Sequence, residues 1–445
     1  MNTIRTNSRL CPMALVCLLA AVASCTRSKG NTESPSFREF LTATERAQPN
    51  NYRGKPGVRV IDDAAFEKMK AYLIDRYRGV HVSHSFVGTE HGYVDCVPIL
   101  EQPSIKNRQG SERTIDRKPP PVPEGPHPVE PERQQDAFRA PQSLDIRLKP
   151  GLLDPVGNER FCHDDTIPIR RITLEELTRF PTLEAFFRKG ERGDNRQVPG
   201  DDQHYYARGV QFVSNLGADT WLNVWSPSVA ADQMSLSQLW VVAGDGGSKQ
   251  TAEAGWQVMP DKWGSNSAAL FIYYTTGGYQ DGTGCYNVDC DGFRQVANNV
   301  YLGSGFDHYS APGQTQWGFE LQYKRDTDGN WWLFYRGGGD WIAVGYYPKS
   351  LYGTGGLATQ SAKIAFGGED TGNTSAKQMG SGEKSDAHFG KAAYQNTIFY
   401  IDSNGTSQWA SLSSEEPNPT CYTADINNIF GAWGTYLYFG GPSCN

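Results

Sequence analysis

Two glutamates in this 445-residue chain stand in runs that otherwise read as uncharged strand. In "TAEAGWQV" (251 to 258), Thr251, Glu253, Gly255 and Gln257 share one face, and the apolar Ala252, Ala254, Trp256 and Val258 share the other. In "KIAFGGE" (363 to 369), Ala365, Gly367 and Glu369 lie opposite Ile364 and Phe366. Each glutamate has a glycine two residues away on its own face, Gly255 or Gly367, where a missing side chain lets another backbone lie close. Two carboxyl groups on such a bare floor can activate a water between them. One takes its proton while the other, protonated, donates to a carbonyl oxygen or leaving group. Periodicity alone favours an ordinary glutamate on the exposed face of a sheet for each. Glu320 is read that way, with Lys324 on its own face. Gln238, in "SLSQLWV", is a weaker candidate for orienting water or an oxyanion and is otherwise an ordinary strand glutamine.

Other chemistries find less support. The sequence has no GxSxG elbow and no HExxH. From residue 200 onward the histidines are His204, His308 and His388, too scattered for a metal triad or a Ser-His-Asp reading. "NVDCDG" (287 to 292) faintly resembles a calcium loop, but its twelfth position is Asn298 rather than Glu, and a structural loop is the better reading. No metal and no cofactor is expected.

The elements that must carry the two glutamates are strands. After residue 200, eleven or more short apolar or alternating runs are separated by Gly, Asn, Asp and Pro, as in "GVQFVSNL", "AALFIYYTT" and "GTYLYFGG". Trp317, Phe319, Leu321 and Tyr323 alternate with Gly318, Glu320, Gln322 and Lys324, and Asp328-Gly329 turns that strand back. Many strands without intervening helices predict a mainly β domain, an antiparallel β-sandwich of jelly-roll type. The front half reads as a smaller α+β region. A helix is predicted over 62 to 79, short strands over 84 to 101, a capping box at Thr173 and Glu176, and a short helix opened by Thr182 and stopped by Gly190. "PPPVPEGPHPVEP" (119 to 131) holds seven prolines in thirteen residues and reads as a stiff extended linker or exposed loop.

The halves differ in charge. From Gly200 onward there are 12 Lys+Arg against 23 Asp+Glu, and before it 30 against 26. All eleven tryptophans lie between Trp221 and Trp433. An acidic aromatic half without a basic stripe argues against nucleic acid. Basic clusters such as Arg170-Arg171 are expected to pair with carboxylates of the acidic half. At the N-terminus, Arg5 and Arg9 precede the apolar run Leu10 to Ala23, which ends in Val22-Ala23-Ser24-Cys25. This resembles a bacterial lipoprotein signal, residues 1 to 25, with Cys25 as the lipidated residue, and otherwise a plain secretory signal. Export permits disulfides. Setting aside Cys11, Cys17 and Cys25 leaves six of nine cysteines. Fifteen pairings are open, and locality favours Cys96–Cys162, Cys285–Cys290 and Cys421–Cys444.

The motifs "EAGWQV", "TGCYNVDCDGF", "GNWWLFY", "VGYYPKSLY", "FGGE" and "QMGSG", in that order, resemble those of the neprosin family of glutamic peptidases. "VDCVPILEQPSIKN" and "TIPIRR" are similar to that family's activation peptide, so the resemblance spans about residues 60 to 445. It implies Glu253 and Glu369 as the catalytic pair, an antiparallel β-sandwich, the same three bridges, and a zymogen that acts at acidic pH and cuts after proline. Phe366 stands where the family has the tryptophan of WGGE. The expected organisation is a signal (1 to 25), a tether and pro-region (26 to 193) and a catalytic domain (194 to 445), with activation cleavage within 191 to 202. The expected partners are protein or peptide substrates and the chain's own pro-region. Membrane contact is expected only through a lipid anchor at Cys25, on an outer membrane, or none if the protein is periplasmic or extracellular. Two other classes fit a sandwich with two carboxylates: a glycoside hydrolase and a non-catalytic carbohydrate- or surface-binding module.

Overall fold

The computed structural model describes residues 36–88, 92–106, 113–126, 143–145, 160–189, 204–371 and 378–442. These residues fall in one compact unit, Pro35–Asn445. The signal, Cys25, residues 127–131 of the proline-rich run, the 191 to 202 stretch and Cys444 lie outside the described residues.

The front half begins with α1 (Phe37–Arg46) and α2 (Asp63–Tyr77). Asp62 caps α2 through the Ala65 N–H, and Gly79 follows at φ +69°, the left-handed stop that the sequence predicts. Strands β1 (His84–Val87), β2 (Tyr93–Pro98), β3 (Ser143–Asp145) and β4 (Thr166–Arg170) come next, and β1-β2-β4 form a small antiparallel sheet. Helices α3 (Leu174–Leu177) and α4 (Leu183–Phe187) close this half. Thr173 and Glu176 form the expected capping box, and Thr182 caps α4.

The back half supplies β5 (His204–Asn215), β6 (Gly217–Asn223), β7 (Ser235–Ala243), β8 (Gln250–Val258), the short helix α5 (Pro260–Trp263), β9 (Ala269–Thr275), β10 (Gly284–Tyr286) and β11 (Arg294–Gln295). It continues with β12 (Gln316–Arg325), β13 (Trp331–Arg336), β14 (Ile342–Tyr347), β15 (Ser361–Thr371), β16 (Ala393–Ile401), β17 (Ser407–Trp409), β18 (Ser413–Glu415), β19 (Thr423–Gly431) and β20 (Gly434–Gly440). Seven strands form one sheet, β10-β9-β8-β7-β15-β5-β18. Ten form the other: the path β11-β14-β13-β12-β6-β16-β20-β19, with β17 beside β16 and β3 parallel to β12. The main core lies between the sheets, where Ala252, Ala254, Trp256, Val258, Ile364 and Phe366 meet Phe319, Leu321 and Tyr323. Cys96–Cys162 and Cys285–Cys290 are disulfides.

A second core lies on the outer face of the seven-stranded sheet. Phe66, Met69 and Leu73 of α2, with Leu174, Leu177, Phe180 and Phe186, pack there on Leu236, Trp240, Phe271 and Tyr273. The front half thus covers the face that carries Glu253 and Glu369. Ion pairs between the halves reinforce this: Arg59 with Asp261, Arg188 with Asp281, and Arg76 with Asp289. Arg170 and Arg171 are not among them, contrary to expectation. Arg170 pairs with Glu176, and Arg171 Nε lies 2.9 Å from Asp95, partners inside the front half. The "NVDCDG" loop is structural: Asp289 is held by Lys262 at 3.0 Å.

Glu320 also departs from expectation. It is buried and its carboxylate accepts from Arg336 Nε at 2.6 Å. Its face of β12 is covered by the proline-rich segment, whose Pro121 carbonyl accepts from Lys324 Nζ at 2.6 Å.

Candidate functional site

Register brings the two glutamates together. β7 lies between β8 and β15, and three cross-strand rows occupy one face of these strands. Trp240 stands opposite Glu253 on β8 and Ala365 on β15. Gln238 stands opposite Gly255 and Gly367, and Leu236 opposite Gln257 and Glu369. The glutamates therefore flank Gln238 diagonally, and both neighbours of Gln238 in its own row lack side chains. Gly367 has φ +132°, and a Cβ there would lie 2.5 Å from the Ala207 carbonyl oxygen. This is one position where glycine is required.

Glu253 is fully buried. Its Oε1 accepts from Thr251 Oγ1 and Tyr279 OH, each at 2.7 Å. Its Oε2 accepts from Gln238 Nε2 at 2.8 Å. Gln238 is thus no bystander: it touches the first carboxylate, while its own Oε1 has no hydrogen-bond partner among the described residues. Burial, then the Glu253 charge, pushes the Tyr279 phenol well above its ordinary value, so it remains a donor. Glu369 is also buried, and its Oε1 lies 2.6 Å from His204 Nδ1 and 3.4 Å from Tyr206 OH.

The Lys189 ammonium lies between the two carboxylates. Its Nζ donates to Glu253 Oε2 at 2.5 Å and to Glu369 Oε2 at 2.6 Å, and sits 5.1 Å from the centre of the Trp240 ring. Lys189 is itself buried. It directly follows Arg188, the C-cap of α4, whose guanidinium forks onto Asp281 at 2.5 and 2.7 Å. Lys262 Nζ anchors the same turn through the Phe186 carbonyl at 3.1 Å. Burial alone would raise the Glu369 carboxyl, but Lys189 and His204 outweigh it and hold the group well below the usual carboxylate range.

The environments of the two carboxylates differ. Glu253 is surrounded by neutral donors plus the lysine, and Glu369 by the lysine and a histidine. An ammonium held by two carboxylate oxygens marks a point from which a small donor reaches both groups, the position required of a shared water. Among the residues that touch this point, the sequence reading places Glu253, Glu369 and, more weakly, Gln238, but misses Lys189, His204 and Tyr279. Thr251 was legible as a same-face neighbour of Glu253. His204 is opposite Thr371, two residues beyond Glu369, a relationship visible only once β5 and β15 are in register.

The chain matches the Neprosin family model over residues 231–442, a stretch lying wholly in the back half. Among solved structures, a scytalido-glutamic peptidase with a peptide-based transition-state analogue is 8% identical, covers 55% of this chain and 98% of its own, and has a TM-score of 0.27. SCP-B, a member of the eqolisin family of peptidases in complex with the tripeptide Ala-Ile-His, is 9% identical, covers 55% and 98%, and has a TM-score of 0.26. Likenesses this distant carry no argument about the site. Residues 231–442, which supply both glutamates and Gln238, are thus similar to the neprosin family over a little less than half of the chain.

Proposed function

We propose that this protein is a glutamic endopeptidase, made as an acid-activated precursor, in which Glu253 and Glu369 hydrolyse peptide bonds through a shared water. The observation that carries the reading is the single ammonium bridging both carboxylates. With Lys189 withdrawn, a water takes its place. Glu369, ionised and kept so by His204, accepts a water proton as the oxygen attacks the peptide carbonyl carbon. Glu253, as the member of the pair that carries the shared proton, gives it to the developing oxyanion. Collapse of the tetrahedral intermediate breaks the C–N bond: the proton taken by Glu369 passes to the leaving amine, and one hydroxyl of the intermediate returns a proton to Glu253 as the carbonyl re-forms. The Gln238 amide lies between the two groups, placed to orient the water. No cofactor enters this scheme.

The same reading makes residues 26 to 193 an inhibitory region, with Lys189 as its plug and cleavage within 191 to 202. The preference for cutting after proline and export as a lipoprotein anchored at Cys25 belong to the proposal on the strength of the sequence motifs. The deciding experiment incubates full-length protein at about pH 4, in the carboxyl titration range. Chain mass and casein hydrolysis are followed together. Activity appearing with loss of the front half supports the reading; a cleaved but inert protein, or full activity in the intact chain, refutes the corresponding part. Cys25→Ser should move the protein from the membrane fraction to the soluble one; wild type already soluble would refute the anchor.

A further inference from the structure

The proline-rich run is not a free linker. Residues 114 to 126 lie extended on the outer face of the ten-stranded sheet, on the side of the sandwich opposite the glutamates. Pro120, Pro123 and Pro126, three residues apart, are half-buried, as is Val122 between them, while Pro119, Pro121, Glu124 and Gly125 are exposed. That spacing of three is the period of a polyproline II helix presenting one edge to a surface. Val122 packs with Trp332, Phe334, Tyr346 and Trp341, and Gly125 lies against Phe399.

The polar contacts suit a chain poor in N–H groups. Lys324 Nζ donates to the Pro121 carbonyl at 2.6 Å and Arg294 Nη1 to the Thr114 carbonyl at 3.1 Å. Tyr346 OH accepts the Asp116 N–H at 2.9 Å. Side-chain donors reading backbone carbonyls between aromatic rings are the means by which extended proline-rich chains are recognised. The segment does not fill its bed. A cavity of about 370 Å³ remains beside Val122, Pro123 and Glu124, lined by Trp341, Phe399, Arg336 and Asp219. Burial, then the Glu320 charge, raises the Asp219 carboxyl well above the usual range, which adds a neutral donor to that lining.

We propose that this aromatic bed is a docking site for proline-rich polypeptide chains, held shut in the precursor by residues 114 to 126 and open to substrate once they leave. The proposal rests on the reading of residues 26 to 193 as a removable region, and adds a second contact for long proline-rich substrates, remote from the bond being cut. A bed that serves only to seat its own segment would have no use for outside chains.

The test uses the full chain carrying Glu369→Gln, so that no hydrolysis intervenes, with residues 119 to 126 replaced by a Gly/Ser stretch of equal length. A fluorescent peptide of the sequence PPPVPEGP is titrated against it by anisotropy, beside a peptide with every proline changed to alanine. The expected result is saturable binding to the replaced chain, at least tenfold weaker binding to the intact chain, and at least a tenfold loss on adding Lys324→Ala or Trp341→Ala. A folded replaced chain that ignores the peptide, or binds the alanine peptide equally well, overturns the proposal. If the replacement does not fold, Pro120→Ala/Pro123→Ala carries the same comparison. Because binding is read in an inactive chain, this outcome is independent of whether the peptidase reading holds.

Discussion

Lys189 and Glu369 are 180 residues apart in sequence and 2.6 Å apart in space, both buried, at the point where the two halves of the chain meet. A buried ammonium is tolerable there only because two carboxylates and an aromatic face receive it. The Lys189 ammonium thus covers both carboxylates at once.

Glu253→Gln and Glu369→Gln should each lower peptide hydrolysis by about 10²–10⁴-fold, the usual contribution of a general acid or base. Amide side chains keep the shape but cannot cycle a proton. Peptide-release rates on folded variants check this, and near-wild-type rates in either would remove the pair from the mechanism.

Lys189→Gln should loosen the front half. Removing one partner of a buried ion pair costs about 3–5 kcal/mol, because the other charge is left uncompensated. Thermal unfolding of the intact chain at neutral pH should drop by several degrees, and processing at acid should run faster. An unchanged melting temperature with unchanged processing would show that the plug contributes nothing.

The depressed Glu369 carboxyl sets the direction of the pH effect. A carboxyl whose pKa is lowered in the docked form stabilises that form above the pKa of the undocked group, which His204 keeps at or below the free value of about 4.3. Below that value the contribution falls by about 1.4 kcal/mol per pH unit, until the docked carboxyl itself takes a proton. Docking of the front half should therefore be pH-independent through this group above about pH 5 and weaken progressively below. Limited proteolysis across pH 3 to 7, with Lys189→Gln as control, measures it. Equal protection at both ends would contradict the assignment.

His204→Gln should shift the acidic limb of kcat/KM upward by about one pH unit or more, since a cation beside a carboxylate lowers its pKa by that order. A role in packing alone would lower the rate without moving the limb. The full pH profile of processed enzyme separates the two.

Gly367→Ala should destabilise the back half by about 1–3 kcal/mol, the range for strained backbone positions. A methyl group there meets the Ala207 carbonyl at a backbone angle that suits glycine. Chemical denaturation of the variant gives the number, and a stability equal to wild type would show that the strand shifts freely.

Strand period marked Glu253 and Glu369 as candidates but by itself favoured ordinary glutamates on an exposed sheet face; the motif resemblance selected them. Glu253 and Glu369 were distinguished by a face shared with glycine, which marks close backbone approach whatever the partner strand. Gln238 could not be ranked, because its importance lies in register: only pairing to both β8 and β15 shows that its row neighbours are glycines. Glu320 was misjudged for a similar reason. Its alternation is that of a half-exposed strand, and its cover comes from a segment some two hundred residues earlier. Arg170-Arg171 is a basic pair on a chain with an acidic partner half, yet each arginine finds a closer carboxylate at home. Lys189 sits between Arg188 and Gly190 at the start of a charged, turn-prone stretch, and composition there gives no hint of burial.

The front half grips the sandwich on opposite faces, with Lys189 and the helices on one, and β3 and the proline-rich segment on the other. It is therefore a bivalent ligand of the back half. Cutting the chain between residues 190 and 203 leaves both grips in place, and each holds the other at a high effective concentration, of millimolar order for a short tether. If the front half is the inhibitory region proposed above, inhibition then outlasts the broken bond. Dilution, which strips a monovalent inhibitor, does little to one that rebinds before it can diffuse away, so release depends on weakening both grips at once.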